Sequence, residues 1–116
     1  MTTTVAGTLK IANEVIADIA GYAALESYGI VGMAATELAN GIATLLPKNK
    51  LRKGVEVTTT ASGVKIDLYI VVEHGAPIAQ VSRNLADRVT FVLKDLTDIP
   101  IDSVEVHIQG VKVSNS

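Results

Sequence analysis

The sequence predicts an α+β fold of two layers, in which a mixed β-sheet carries two main helices on one face. Residues 63–73, GVKIDLYIVVE, alternate in a way that is typical of a strand with one buried face. Residues 78–96 repeat their apolar side chains at intervals of three and four, which is typical of a helix packed on a core. The remaining patterns complete the order β-α-β-(short α)-β-β-α-β, and the 116 residues suit a single domain, residues 1–116.

The N-terminal half is predicted to contain a strand, a helix and a second strand. Residues 5–11, VAGTLKI, alternate between two faces as a strand does. Asn13 is suited to cap a helix over residues 14–26, where apolar side chains recur at helical spacing. The apolar run at residues 30–35 then predicts a short buried strand. It is entered through Gly29, because glycine tolerates the positive φ of a tight turn.

Residues 36–53 have the weakest pattern and are predicted to form a variable short helix followed by a basic loop. The helix would start near Thr36 and end at Pro47. The next six residues, KNKLRK, contain four of the ten cationic side chains: Lys48, Lys50, Arg52 and Lys53. Two interpretations of this candidate basic arm stay open. It is either a solvated loop or a mobile amphipathic segment that contacts anionic lipid or a partner.

The C-terminal half is predicted to form a hairpin, the clearest helix and a last strand. Residues 54–60 and 63–73 are strand-like and are joined by a short turn that contains a glycine, which is typical of a β-hairpin. Pro77 suits the first turn of the helix that follows, because its missing N–H has no partner there. The last strand starts at Ile101 and changes phase at Gly110, which indicates either a bulge or a fraying end.

Composition excludes several functional classes. The net charge is −2 and the chain has no cysteine, so we expect neither a nucleic-acid-wrapping protein nor disulfide, thiolate or zinc–thiolate chemistry. No stretch approaches the roughly 18 consecutive apolar residues that would span a bilayer. The N-terminal sequence also lacks the charged start and apolar core of a signal peptide.

The sequence offers no motif for catalysis, so we predict no catalytic, cofactor-binding or metal-binding residue and no cofactor. The two histidines, His74 and His107, have no metal-ligand spacing from another histidine or carboxylate. Glu73 adjoins His74 in a strand, where neighbouring side chains point to opposite faces and cannot form an acid–base pair.

One short motif suggests an alternative function. Residues 29–32, GIVG, match the bare GxxG pattern of the KH loop that clamps an RNA backbone. Together with the basic cluster at Lys48–Lys53 they would form a KH-like RNA-binding module. The scarcity of aromatic residues, 3% of the chain, argues against this, since bases stack on aromatic side chains.

The sheet face turned away from the helices is the candidate binding surface. Tyr69 and Val71 lie on one side of their strand, and His107 occupies the corresponding side of the last strand. If these strands are neighbours, the three side chains form a small amphipathic patch. The alternatives are an ordinary solvated sheet face and a surface for protein docking or self-association.

Four segments, in this order, resemble the alkaline shock protein family of cell-envelope stress and homeostasis proteins: GTLKIANEVIADIAGYAALESYGIVGM, KGVEV, IDLYIVVEHGAPIAQVSRNLADRV and DSVEVHIQGVKV. The resemblance covers about residues 6–113 and is strongest to the short, YloU-like members from Gram-positive bacteria.

The resemblance implies a small, non-enzymatic cytoplasmic adaptor or scaffold that acts through protein contacts. The implied protein partner is an envelope-anchoring protein, through which the chain would lie peripherally at the membrane, or a subunit of a fatty-acid kinase that resembles dihydroxyacetone kinase. Self-association into a homo-oligomer is also implied, whereas DNA is not an expected partner. The family supplies no catalytic motif that could be transferred to this chain.

Overall fold

A computed structural model describes the backbone of residues 5–113 and the side chains of residues 13–113. Its elements are α1 (Val5–Leu25), β1 (Ile30–Met33), a 3₁₀ helix (Lys48–Gly54), β2 (Val55–Thr60), β3 (Gly63–Glu73), α2 (Ile78–Leu96) and β4 (Ile101–Lys112). The sheet has four strands and contains both parallel and antiparallel pairs. The predicted α+β class with a mixed sheet is therefore confirmed.

Strand β3 is the centre of the sheet. Strand β4 runs parallel to it along nearly its whole length, from the pair Val64–Ile101 to the pair Glu73–Lys112. Antiparallel β2 pairs with residues 63–68 of β3 and antiparallel β1 with residues 70–72, so the two share its other edge. The parallel pair requires a crossover, which α2 provides.

The core lies between one face of the sheet and the two helices. Every second residue of β3 is buried there, from Val64 to Val72. The helices contribute the aliphatic side chains that cover them: Ile16, Ala20 and Ala24 from α1, and Val81, Leu85, Val89 and Leu93 from α2. The buried stripe of α2 thus ends at Leu93. The periodicity also places Leu96 on the buried face, but Leu96 is 63% exposed. Packing of both helices on one face agrees with the prediction.

The predicted first strand is wrong, because residues 5–11 belong to helix α1. Seven residues of alternation are too few to separate a strand from a helix when no breaker follows. No proline interrupts the chain between this segment and the helical pattern at residues 14–26, so the helix extends toward the N-terminus. Asn13 consequently lies inside α1 rather than at its cap.

The predicted short helix after Thr36 is also wrong. Residues 34–45 form a small hairpin, which we call the 34–45 hairpin, with bridges Ala34–Leu45 and Ala39–Ile42. Its turn is Asn40–Gly41, and both residues have positive φ, 54° and 78°. An Asn-Gly pair is the strongest short-range signal for a hairpin. Here it determines the structure of a segment whose apolar residues have only a weak helical spacing.

The predicted basic loop is a 3₁₀ helix that is held against α1. Leu51 is 2% exposed. A methyl group on Gly21 of α1 would lie 2.9 Å from the Cβ of Leu51, so the two backbones are in close contact. Arg52 forms ion pairs with Asp18 at 3.2 Å and with Glu14 at 3.9 Å. Residues 48–53 are therefore not a mobile arm.

Other local predictions are confirmed. Residues 30–33 form a strand, and Gly29 has a φ of 82° at its entry. The hairpin between β2 and β3 closes at the pair Thr60–Gly63. A register shift opposite Ile70 and Val71 places a bulge next to Gly110, after which β4 continues to Lys112.

We expect Gly63→Ala to lower the free energy of unfolding by about 3 kcal/mol or more, through backbone strain together with overpacking. Gly63 has a φ of 148°, and a Cβ there would overlap the carbonyl oxygen of Pro100. Gly75→Ala is the matched control, since Gly75 has a φ of 87° with open space around it. This substitution should lower the free energy of unfolding by only about 1–2 kcal/mol. Urea unfolding of the three proteins measures the difference, and equal losses would contradict the proposed overlap.

We expect Leu51→Ala to cost about 2–5 kcal/mol, as other large-to-small core substitutions do. Leu96→Ala removes the same atoms from an exposed position and should change stability by about 0.5 kcal/mol or less. Thermal unfolding followed by circular dichroism compares the two variants. If residues 48–53 were a mobile arm, Leu51→Ala would be as mild as Leu96→Ala.

Candidate functional site

The sheet face turned away from the helices carries the candidate site. Among the residues that the structure describes, the helices cover only the other face, so alternate residues of the three longer strands lie beside one another with no helix over them. We call this the open face. It consists of Glu56 and Thr58 from β2, Lys65, Asp67 and Tyr69 from β3, and Ser103, Glu105 and His107 from β4.

Tyr69 and His107 form a ring stack at the centre of the open face. They are direct partners in the parallel register, with ring centroids 4.6 Å apart and planes inclined by 14°. The hydroxyl of Tyr69 donates a hydrogen bond of 2.9 Å to Oε1 of Glu56 on the opposite neighbour strand. The prediction that these two side chains meet on neighbouring strands is confirmed, and both rings are held in place by the sheet.

A polar cluster lies beside the stack. Nε2 of His107 is 2.8 Å from Oδ1 of Asp67, and since a carboxylate only accepts, the ring N–H donates. The side chain of Asp67 is 13% exposed and that of His107 is 37% exposed. Glu105, the direct neighbour of Asp67 on β4, has its Oε2 3.5 Å from Nζ of Lys65. Three carboxylates and one ammonium thus surround the stacked rings.

The surroundings of Tyr69 raise the pKa of its phenol above the usual value of 10.0. Burial is the largest cause, followed by the hydrogen bond to Glu56 and the negative charges of Glu56, Asp67 and Glu105. Each of these disfavours a phenolate. Tyr69 therefore stays a neutral hydrogen-bond donor, and its ring keeps its place against His107.

Val71, the third residue of the predicted patch, lies on the same side of β3 but is only 4% exposed. The 34–45 hairpin covers this end of the face, and Gln109 fixes it by donating to the carbonyl oxygens of Ala35 at 3.2 Å and Thr36 at 3.1 Å. The prediction of an accessible Val71 is wrong. It instead lines a groove of about 350 Å³ together with the more exposed Ile42 and Val111, 70% and 52% exposed.

The KH-like interpretation of GIVG is not compatible with this geometry. Residues 30–33 form strand β1, and Gly29 and Gly32 are both buried. The backbone is therefore unavailable to clamp a nucleic acid. Lys48, Lys50 and Lys53 remain exposed, but Arg52 is paired with α1. Residues 29–32 therefore do not form the exposed loop that the KH-like alternative requires.

Among the residues whose side chains the structure describes, Asp67, Glu105 and His107 could hold a metal ion, because one ligand atom from each lies within 4.8 Å of the others. The sequence did not nominate this group, since Asp67 and His107 are 40 residues apart. Only the parallel pairing of β3 with β4 brings them together. One local signal existed, because Glu105 and His107 are two residues apart in a strand and so share a face. His74 lies apart from this group, exposed in the turn after β3.

Neither long helix in the described part of the chain has the length and apolarity needed to cross a membrane.

Comparison with known proteins identifies the family. The model of the alkaline shock protein family, described by a cell envelope-related function, matches residues 1–113. YloU of Bacillus subtilis is 38% identical over 110 residues, 94% of this chain and 92% of that protein. Spy1614 of Streptococcus pyogenes serotype M6 is 36% identical, over 92% and 89% of the two chains, and YqhY of B. subtilis is 34% identical, over 91% and 78%. The chain therefore belongs to the alkaline shock protein family, whose function is related to the cell envelope.

Proposed function

We propose that this protein is a non-enzymatic adaptor of cell-envelope homeostasis that binds a partner protein through its open face and the adjoining groove. The observation that carries the proposal is the stack of Tyr69 and His107, which is held in place by hydrogen bonds to Glu56 and Asp67. Two residues after Tyr69, strand β3 reaches the groove at Val71. An aromatic pair fixed in this way offers contact area at little cost in conformational entropy, as interface anchors do.

The charge of the open face indicates the chemistry of the partner. Glu56, Asp67 and Glu105 outnumber Lys65, so the face carries an excess of negative charge. An arginine side chain matches this surface, because its planar guanidinium stacks on aromatic rings and pairs with carboxylates. Ile42 and Val111, at the groove, would receive an apolar side chain a few residues along. The partner is thus expected to present a short segment with both an arginine and an aliphatic residue.

Two partner proteins suit the family. One is an envelope-anchoring protein, which would hold this cytoplasmic chain peripherally at the membrane. The other is a fatty-acid kinase subunit that resembles dihydroxyacetone kinase, which would connect the chain to lipid metabolism. Envelope stress is the setting in which either contact would act. Membership of a family with a cell envelope-related function favours the first partner. The second partner is proposed from the resemblance to the YloU-like members alone.

The test is purification of the tagged protein from its own host, with and without nuclease, followed by mass spectrometry of what is captured. Wild type is compared with the double variant Tyr69→Ser and His107→Ser, which removes both rings of the stack. The double variant Tyr28→Ser and His74→Ser is the matched control, because it makes the same chemical changes at exposed turn positions. Circular dichroism confirms that each protein is folded.

We expect wild type and the control to capture the same nuclease-resistant envelope or lipid-kinase proteins, and the stack variant to lose them by about tenfold or more, as removal of interface anchors does. Unchanged capture by a folded stack variant would show that the open face is not the docking surface. Capture dominated by RNA and by nuclease-sensitive proteins would reject the adaptor function altogether.

A further inference from the structure

We propose that Asp67, Glu105 and His107 form a binding site for one divalent transition-metal ion, of which Zn²⁺ is the representative. The site goes beyond the adaptor function and does not depend on it. It rests on where the parallel register of β3 and β4 places three side chains that can each donate one ligand atom.

The donor set suits a borderline metal ion. An imidazole nitrogen and two carboxylate oxygens are ligands that Zn²⁺ and its neighbours bind at about 2.0–2.2 Å. Two such ligands around a tetrahedral ion are about 3.3 Å apart. Nε2 of His107 and Oδ1 of Asp67 are now 2.8 Å apart, and the carboxylate of Glu105 completes a group within 4.8 Å. Small side-chain rotations are therefore sufficient to place all three atoms around one ion.

The surroundings already orient the nitrogen ligand. The ring of His107 lies flat against Tyr69, and Tyr69 is itself fixed by its hydrogen bond to Glu56. The stack therefore restrains the orientation of the ring that carries the nitrogen ligand. An imidazole nitrogen binds a metal ion only when it carries no proton, so the metal-bound form is the neutral tautomer with its proton on Nδ1. The ion then replaces the proton that Asp67 and His107 share in the hydrogen bond.

Lys65 is the group that opposes the ion. Its Nζ lies 3.5 Å from Oε2 of Glu105, so it competes for that carboxylate and repels a cation. The charge of Glu56, on the other side of Tyr69, acts in the opposite sense and favours a cation on this face. Three protein ligands leave at least one position on the ion for water or for a ligand from a partner. The site is therefore expected to exchange its metal rather than to hold it as a closed structural site.

The first experiment is calorimetric titration of ZnCl₂ into the chelator-treated full chain after removal of any affinity tag. We expect one ion per chain, and at least about a tenfold loss of affinity in each of His107→Gln, Asp67→Asn and Glu105→Gln, since each removes a ligand. His74→Gln is the matched control, because it removes the other histidine of the chain and should leave binding unchanged. Wild-type affinity in folded His107→Gln, or an equal loss in His74→Gln, would overturn the proposed site.

The variant Lys65→Gln separates a metal site from a merely structural cluster. Removing the competing ammonium should increase Zn²⁺ affinity several-fold, and damage to the fold cannot produce a gain. Mn²⁺ added to ¹⁵N-labelled protein should broaden the amide signals of residues 65–69 and 103–107 before others. Unchanged or weaker Zn²⁺ binding in Lys65→Gln, or broadening centred elsewhere in the chain, would reject the assignment.

Discussion

The parallel pairing of β4 with β3 is the interaction on which the rest of the structure depends. It joins the last strand to the central one from Val64–Ile101 to Glu73–Lys112, and it forces the intervening chain to cross over as α2. Because α2 and α1 cover the same face of the sheet, the pairing also decides which side chains are left on the other face. Tyr69 meets His107, and Asp67 meets Glu105, through this register alone. A shift of β4 by one residue would turn Glu105 and His107 to the core side.

The elements that the sequence predicts well are those whose pattern is long and has one interpretation. Strand β3 alternates along its length, and the apolar residues of α2 repeat at helical spacing, so the sequence predicts both elements correctly. The strand predicted at residues 5–11 is wrong. A short alternating pattern that runs into a helix, with no helix-breaking residue between them, is compatible with either a strand or a helix. The 34–45 hairpin departs from the predicted helix because the helical spacing of Leu38, Ile42, Leu45 and Leu46 is only a weak preference. Asn40–Gly41 has a specific backbone requirement, and that requirement determines the structure.

Part of the candidate site can be predicted from the sequence, because strand alternation determines which side chains share a face. Strand alternation alone puts Tyr69 and Val71 on one face of β3, and Glu105 and His107 on one face of β4. Whether those faces adjoin depends on pairing, which no local pattern encodes. The burial of Val71 depends on the 34–45 hairpin, which is distant from Val71 in the sequence. The contact between His107 and Asp67 joins residues 40 positions apart. Local periodicity therefore identifies which residues are available for a site, and tertiary pairing determines which of them form it.

Asp67 is the residue of this cluster that the fold itself does not need. Aspartate is depleted in strands, and a threonine or valine at the centre of the sheet would suit the pleated surface better. A carboxylate that is 13% exposed must also give up part of its hydration, which is unfavourable unless other groups replace it. His107 supplies one hydrogen bond, yet that imidazole sits on an open face where nothing in the core requires it. Local choices that conflict with the fold are expected at functional positions. The conflict at Asp67 and the support that Tyr69 gives to His107 therefore both favour the open face as the proposed binding surface.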